Sequence, residues 1–318
     1  MSTLHLVDPD LLDTLDMLPK FDFDETLIKV IRNQMDEMMA AMPESEDTAV
    51  IRESRKIPGI NSPEVGVLIY RPADQQGPLP AILHIHGGGY VIGCALMGDA
   101  TARHKVKELN CVFVSVDYRL APETQHPGPV EDCYSALRFL FDHADALQID
   151  PTRIGVAGES AGGGLAASLA LLARDRGEVK LAFQHLIAPM IDDRTTASPD
   201  PHPYTGEFCW TRKSNHFGWS SLLGGEPGSL DISSYAAAAR ATDLTSLPPA
   251  YIAVGALDLF LDEDLDYALR LTRAGVPTAF HLYPGAYHGF EMSAASYVTG
   301  KAKEDAYSAL RRVLHPKA

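Results

Sequence analysis

Short apolar runs alternate with helical patterns along most of this chain, and that alternation is the mark of a mostly parallel sheet flanked by helices. The runs fall at residues 65–70, 81–86, 112–116, 154–157, 181–188 and 250–254, with 278–282 as a seventh near the C-terminal edge. Helical patterns lie between several of them. Residues 129–143 are amphipathic, 161–174 are small and apolar throughout, as in a helix packed hard on a sheet, and 261–274 and 301–313 carry charged outer faces. His315-Pro316 closes the last of these.

Two stretches break the pattern. Residues 1–46 read as one or two amphipathic helices, and residues 191–230 are rich in proline, glycine and aromatics and hold both tryptophans of the chain. So many aromatics pack over something. The two stretches together are expected to form a two-part helical cap over one end of the sheet, leaving 47–190 and 231–318 as the core. A chain of 318 residues has room for that arrangement, since single cores seldom grow beyond about 250–300 residues.

Forty-two acidic against 27 basic residues give a formal charge of −15, which repels phosphate backbones and anionic lipid. No nucleic-acid partner is expected. No apolar run reaches the roughly 18 residues of a membrane span, and the first twenty residues carry aspartates where a signal peptide needs basic residues. The four cysteines are widely spaced and form no C-x-x-C pair, the usage of free thiols in a reducing compartment. The expectation is a cytoplasmic protein with no membrane association, with room for a homodimer.

Gly158-Glu159-Ser160-Ala161-Gly162 follows the run 154–157 and opens the helical pattern 161–174, the strand-turn-helix setting of a nucleophile elbow. Small flanks are needed there because the serine takes a strained backbone conformation and strand and helix must approach closely. The helix N-terminus adds a field favourable to developing negative charge. His86-Gly87-Gly88-Gly89 ends another run, and consecutive glycines can turn N–H groups toward a substrate oxygen without side chains in the way. We assign an oxyanion hole to the N–H groups of Gly88, Gly89 and Ala161, with His86 and Gly87 supporting the loop and Gly158, Glu159 and Gly162 supporting the elbow.

A serine needs a base, and the base an orienting acid; in elbows of this kind they follow in the order serine, acid, histidine. Asp258 comes just after the run 250–254 and His288 just after 278–282, so both stand at strand ends, as Ser160 does. Asp262, Glu263 and Asp264 are rivals for the acid, but they fall where the following helix begins and serve as N-terminal helix charges. His84 and His86 alternate on one strand, yet no third ligand has zinc-like spacing, so no metal or other cofactor is expected. His281 lies inside a strand, away from the reacting edge. Tyr90, Trp210, Phe217 and Trp219 are the candidates for a substrate pocket.

With these two glycine motifs and Asp117-Tyr118-Arg119-Leu120-Ala121-Pro122-Glu123, the chain resembles the bacterial esterases similar to hormone-sensitive lipase, family IV carboxylesterases of the α/β-hydrolase fold. The resemblance implies a Ser-His-Asp carboxylesterase with a two-part cap, a small-molecule ester substrate and a preference for short acyl groups. The sequence departs from the family at Glu159, where many members carry aspartate, and at Leu259, where many carry proline. Two other readings use the same fold: a non-catalytic small-molecule receptor, as in the plant gibberellin receptors, which lack the histidine that His288 supplies here, and amide or peptide hydrolysis by the same residues.

Overall fold

A computed structural model describes residues 2–18, 21–60 and 63–316; Met1, Pro19 and Lys20 of the N-terminal stretch and Lys317 and Ala318 lie outside the described residues, as do Asn61 and Ser62. Eight strands among the described residues form one sheet: β1 (Val50–Ile57), β2 (Val65–Pro72), β3 (Leu79–Ile85), β4 (Val112–Asp117), β5 (Ile149–Glu159), β6 (Gln184–Ile187), β7 (Ala250–Gly255) and β8 (Thr278–Tyr283). Their order is β1-β2-β4-β3-β5-β6-β7-β8. The pairs β1/β2 and β2/β4 are antiparallel and all others parallel. Central strands in such a sheet are covered on both faces, so β3, Leu-Pro-Ala-Ile-Leu-His-Ile, is buried at every position.

The helices are α1 (Leu12–Met17), α2 (Glu25–Ala40), α3 (Asp99–Leu109), α4 (Gly128–Asp142), α5 (Ala144–Leu147), α6 (Ala161–Arg176), α7 (Arg212–Leu223), α8 (Leu261–Arg273) and α9 (Tyr297–Leu314). All residues of α6 from Ala161 to Ala173 are buried, as its all-round apolar sequence demands. Ile85 of β3 stands opposite Gly158 of β5, which brings the glycine loop after β3 against the turn after β5. The Asp-Tyr-Arg motif after β4 is structural: Arg119 forks onto the fully buried Asp132 carboxylate at 2.7 and 2.8 Å, and the Tyr118 hydroxyl donates to the His86 carbonyl.

The strand β1 is absent from the sequence reading. β1 escaped it because an edge strand paired on one side needs little apolar surface, and only Val50 and Ile57, at its ends, are buried. Between residue 230 and β7 the chain lies along α6 and α8, through Arg174 to the Asp243 and Thr245 carbonyls and Arg270 to the Ala239 carbonyl.

The N-terminal stretch touches the inserted segment and the core at separate places. Phe23 packs on Trp210 at 5.4 Å between ring centres, Thr211 Oγ1 donates to Asp22, and Thr3 donates to Glu207. Arg32 of α2 reaches the Val91 and Ala121 carbonyls and the Glu123 carboxylate. Val7, Leu11 and Leu15 pack with Ala286, Tyr287 and Phe290 in one apolar cluster. The Asp8 N–H donates to the Gly285 carbonyl and the Tyr287 hydroxyl to the Leu11 carbonyl, so this stretch lies along the loop after β8. No helix among the described residues is long and apolar enough to cross a membrane.

Candidate active site

Ser160 joins β5 to α6 with φ +55° and ψ −124°, a conformation that side chains other than glycine seldom take. The neighbouring glycines are required by space rather than by φ. A Cβ on Gly158 would lie 2.3 Å from the Gly162 carbonyl oxygen, and one on Gly162 2.0 Å from that of Ile85. The Ser160 carbonyl accepts from Gly164 N and Met190 N, which holds the strained residue from both sides.

His288 sits in the loop between β8 and α9, and its Nε2 is 3.0 Å from Ser160 Oγ. Its Nδ1 is 2.8 Å from Asp258 Oδ2, while Asp258 Oδ1 accepts the Phe260 N–H at 3.0 Å. Asp258 is 1% exposed and follows β7, so its carboxylate is screened little by water. Burial alone would lower the pKa of His288, but the Asp258 carboxylate and, more weakly, Glu291 outweigh it and hold the imidazole above the ordinary 6.5. The rival acids lie elsewhere. Asp262 is exposed; Glu263 is buried and accepts from the Ile191 and Asp192 N–H groups; Asp264 is buried, and burial pushes its carboxyl well up. All three stand in the first turn of α8, where the sequence reading has them.

Gly88 (φ +116°) and Gly89 (φ +60°) turn the loop after β3, and their N–H groups, like that of Ala161, make no hydrogen bond among the described residues. His86 stacks on Tyr118 at 4.3 Å, its Nδ1–H donates to the Gly87 carbonyl, and burial pushes its pKa down to about 4, so it stays neutral. Gly87 packs against Ser160, where an added Cβ would be 3.3 Å from the serine Cβ. Glu159 accepts from His84 Nε2 at 2.7 Å, and its other oxygen is 3.6 Å from Lys105 Nζ. Burial would raise the Glu159 carboxyl, yet His84, Lys105 and His185 outweigh it and hold the group ionised well below the usual carboxylate range. His84 is thus a structural residue, bonded also to Ser115 at 3.1 Å.

Two cavities adjoin the elbow. The larger, about 920 Å³, opens on Ser160 and His288 and runs between α3, α9 and the turn Phe290–Met292. The smaller, about 280 Å³, lies against the glycine loop after β3 among Gly87, Gly88, Ile92, Met97 and Phe113, and shares Thr101 and Glu159 with the larger. The four aromatic residues chosen as pocket candidates border neither. Tyr90 and Trp219 are fully buried against each other at 5.3 Å, and Phe217 is half-buried against the core. Trp210 alone comes near: a Cβ on Gly89 would lie 2.1 Å from its ring, and its ring centre is 6.4 Å from that of His288. Aromatic content marked a packed layer, not a cavity wall. The residues missed, Thr101, Lys105 and Glu291, lie on α3 and beside His288; the signal for α3 was the apolar spacing of Ala102, Val106 and Leu109 beneath its charges.

The sequence of residues 82–292 matches the family described as having the alpha/beta hydrolase fold. The chain belongs to that family, among the esterases similar to hormone-sensitive lipase, and is a carboxylic-ester hydrolase. It is 33% identical to the esterase LipI of Mycobacterium tuberculosis across 97% of this chain and 96% of that one. It is 35% identical to the carboxylesterase NlhH of the same species over 79% of each. Among solved structures, a bacterial heroin esterase superposes with a TM-score of 0.92 at 41% identity, covering 99% of this chain and 100% of that one.

Proposed function

We propose that this protein hydrolyses short-chain acyl esters through an acyl-enzyme, with Ser160 as nucleophile, His288 as general base and then acid, and Asp258 as the group that fixes the imidazole. The observation that carries the proposal is the continuous relay from Ser160 Oγ through both ring nitrogens of His288 to Asp258, at 3.0 and 2.8 Å. His288 takes the serine proton as Oγ attacks the carbonyl, and the Gly88, Gly89 and Ala161 N–H groups receive the developing oxyanion. The imidazolium then protonates the departing alkoxide, and water activated by the same histidine clears the acyl group. An intact histidine beside the serine favours catalysis over a receptor role.

The acyl group is assigned to the smaller cavity and the alcohol to the larger, with residues 1–46 and the segment after β6 acting as a cap. A cavity of about 280 Å³ limits chain length, because overfilling a packed site costs about 1–3 kcal/mol. Across p-nitrophenyl esters of graded length, kcat/KM is expected to peak at roughly two to eight acyl carbons and to fall tenfold or more beyond. The matching anilide is expected to be turned over far more slowly. Equal rates on ester and anilide would make the protein an amidase, and no turnover of either would favour the receptor.

The pH profile gives a separate check. Only the neutral imidazole can accept the serine proton, and Asp258 favours the charged form. Activity is therefore expected to be lost as pH falls through a midpoint above the ordinary 6.5, read as kcat/KM for p-nitrophenyl acetate. A midpoint below 6.5 would mean that burial, not Asp258, controls the base.

A further inference from the structure

In the mechanism above, on which this inference rests, His288 hands its proton to the departing oxygen, so the leaving group occupies the larger cavity beyond His288. Four glutamates border that cavity: Glu108, Glu159, Glu291 and Glu304. Three have partners: Glu159 has His84 and Lys105, Glu108 has Arg311 at 3.0 Å, and Glu304 has Lys301 at 3.1 Å. The side chain of Glu291 makes no ion pair and no hydrogen bond to another residue among the described residues; its own backbone N–H is the one donor that favours its ionised form. It stands three positions after His288, in the turn Phe290–Met292.

The charged groups that act on Glu291 are His288, which favours its ionised form, and Asp258 and Glu159, which oppose it. Burial is the largest influence and pushes its carboxyl up to about 7. Of the other basic residues on the cavity wall, Lys105 and Arg311 are engaged by Glu159 and Glu108, burial pushes His185 down to about 3 and keeps it neutral, His104 is exposed and tilted against Tyr307 at 5.6 Å, and Lys303 is exposed. The charge left uncompensated beside the reacting atoms is negative. Phe290, Tyr283 and Tyr307 line the same cavity, and aromatic faces attract cations as a carboxylate does.

We propose that Glu291, with these rings, is a cation subsite for the leaving group, so that the enzyme selects esters of alcohols bearing an ammonium group over neutral alcohols of the same shape. A quaternary ammonium suits such a site better than a primary amine, because it loses less hydration on entering and presents methyl groups to the rings.

The test compares acetylcholine with 3,3-dimethylbutyl acetate, an uncharged ester of the same shape. At pH 8 the wild type is expected to favour the cationic ester by about tenfold or more in kcat/KM, chiefly through KM. That preference should shrink as pH falls through about 7, where Glu291 takes up its proton. Glu291→Gln should bring the ratio of the two esters close to one, while Glu291→Asp should restore part of it. Lys303→Ala removes a like charge from the wall and should leave the preference standing or raise it; a loss there as large as that of Glu291→Gln would mean that the carboxylate is not its source and would overturn the proposal. Calorimetry of choline against 3,3-dimethylbutan-1-ol, on wild type and Glu291→Gln, reads the subsite without turnover. If choline binding depends on Glu291 but neither ester is cleaved, the esterase reading fails and the subsite stands. If both esters are cleaved at equal efficiency by wild type and Glu291→Gln, the subsite is wrong and the esterase reading stands.

Discussion

Replacing Ser160 by alanine is expected to lower kcat by roughly 10⁴–10⁶, and His288→Ala by a similar factor, because each removes one member of a single catalytic unit. The double variant should be little worse than either single one. Purified proteins assayed on one p-nitrophenyl ester, after background hydrolysis is subtracted, give the three numbers directly. A loss in the double variant equal to the product of the two single losses would mean that the residues act independently, which a shared 3.0 Å contact does not allow. The Ser160→Ala protein should fold as the wild type does, since the serine holds its place through its carbonyl bonds to Gly164 N and Met190 N.

The next largest effect belongs to Asp258. Asparagine there keeps the shape but offers an N–H to His288 Nδ1, which turns the imidazole to the tautomer that cannot accept the serine proton. Asp258→Asn should therefore lower kcat by about 10⁴ with thermal stability little changed, whereas Asp262→Asn, on an exposed carboxylate, should cost less than tenfold. If the ranking came out reversed, the acid would have to be reassigned to α8.

The three residues of the proposed triad could be picked out in the sequence because each stands at the end of a strong apolar run. Short-range pattern therefore fixes both the element and the position: Ser160 after β5, Asp258 after β7 and His288 after β8. The cavity was not legible. Its walls come from α3 and α9, elements 198 residues apart by their first members, Asp99 and Tyr297, and nothing local in Thr101 or Glu304 announces the meeting. Glu291 adjoins a motif residue, but only the surrounding burial distinguishes it from an ordinary surface glutamate. The aromatic residues misled for the opposite reason: Trp219 and Tyr90 are large enough to fill the space beneath the inserted segment, so they close a core where an open pocket was expected. Lys105 and Arg103 are buried yet charged, and that concealed α3 from a reading that equates burial with apolar residues.

The loop that carries His288 is held partly by residues from the far end of the chain, through Asp8 to Gly285 and Tyr287 to Leu11. Those few contacts join a short terminal stretch to the outside of a large sheet, so they can open at a free energy well below that of global unfolding. Once they open, the imidazole loses its fixed distance to the serine while the sheet stays folded. Heat would then silence the enzyme before it melts it, reversibly at first, and the temperature at which activity fades would report how firmly the first fifteen or so residues are docked rather than how stable the core is.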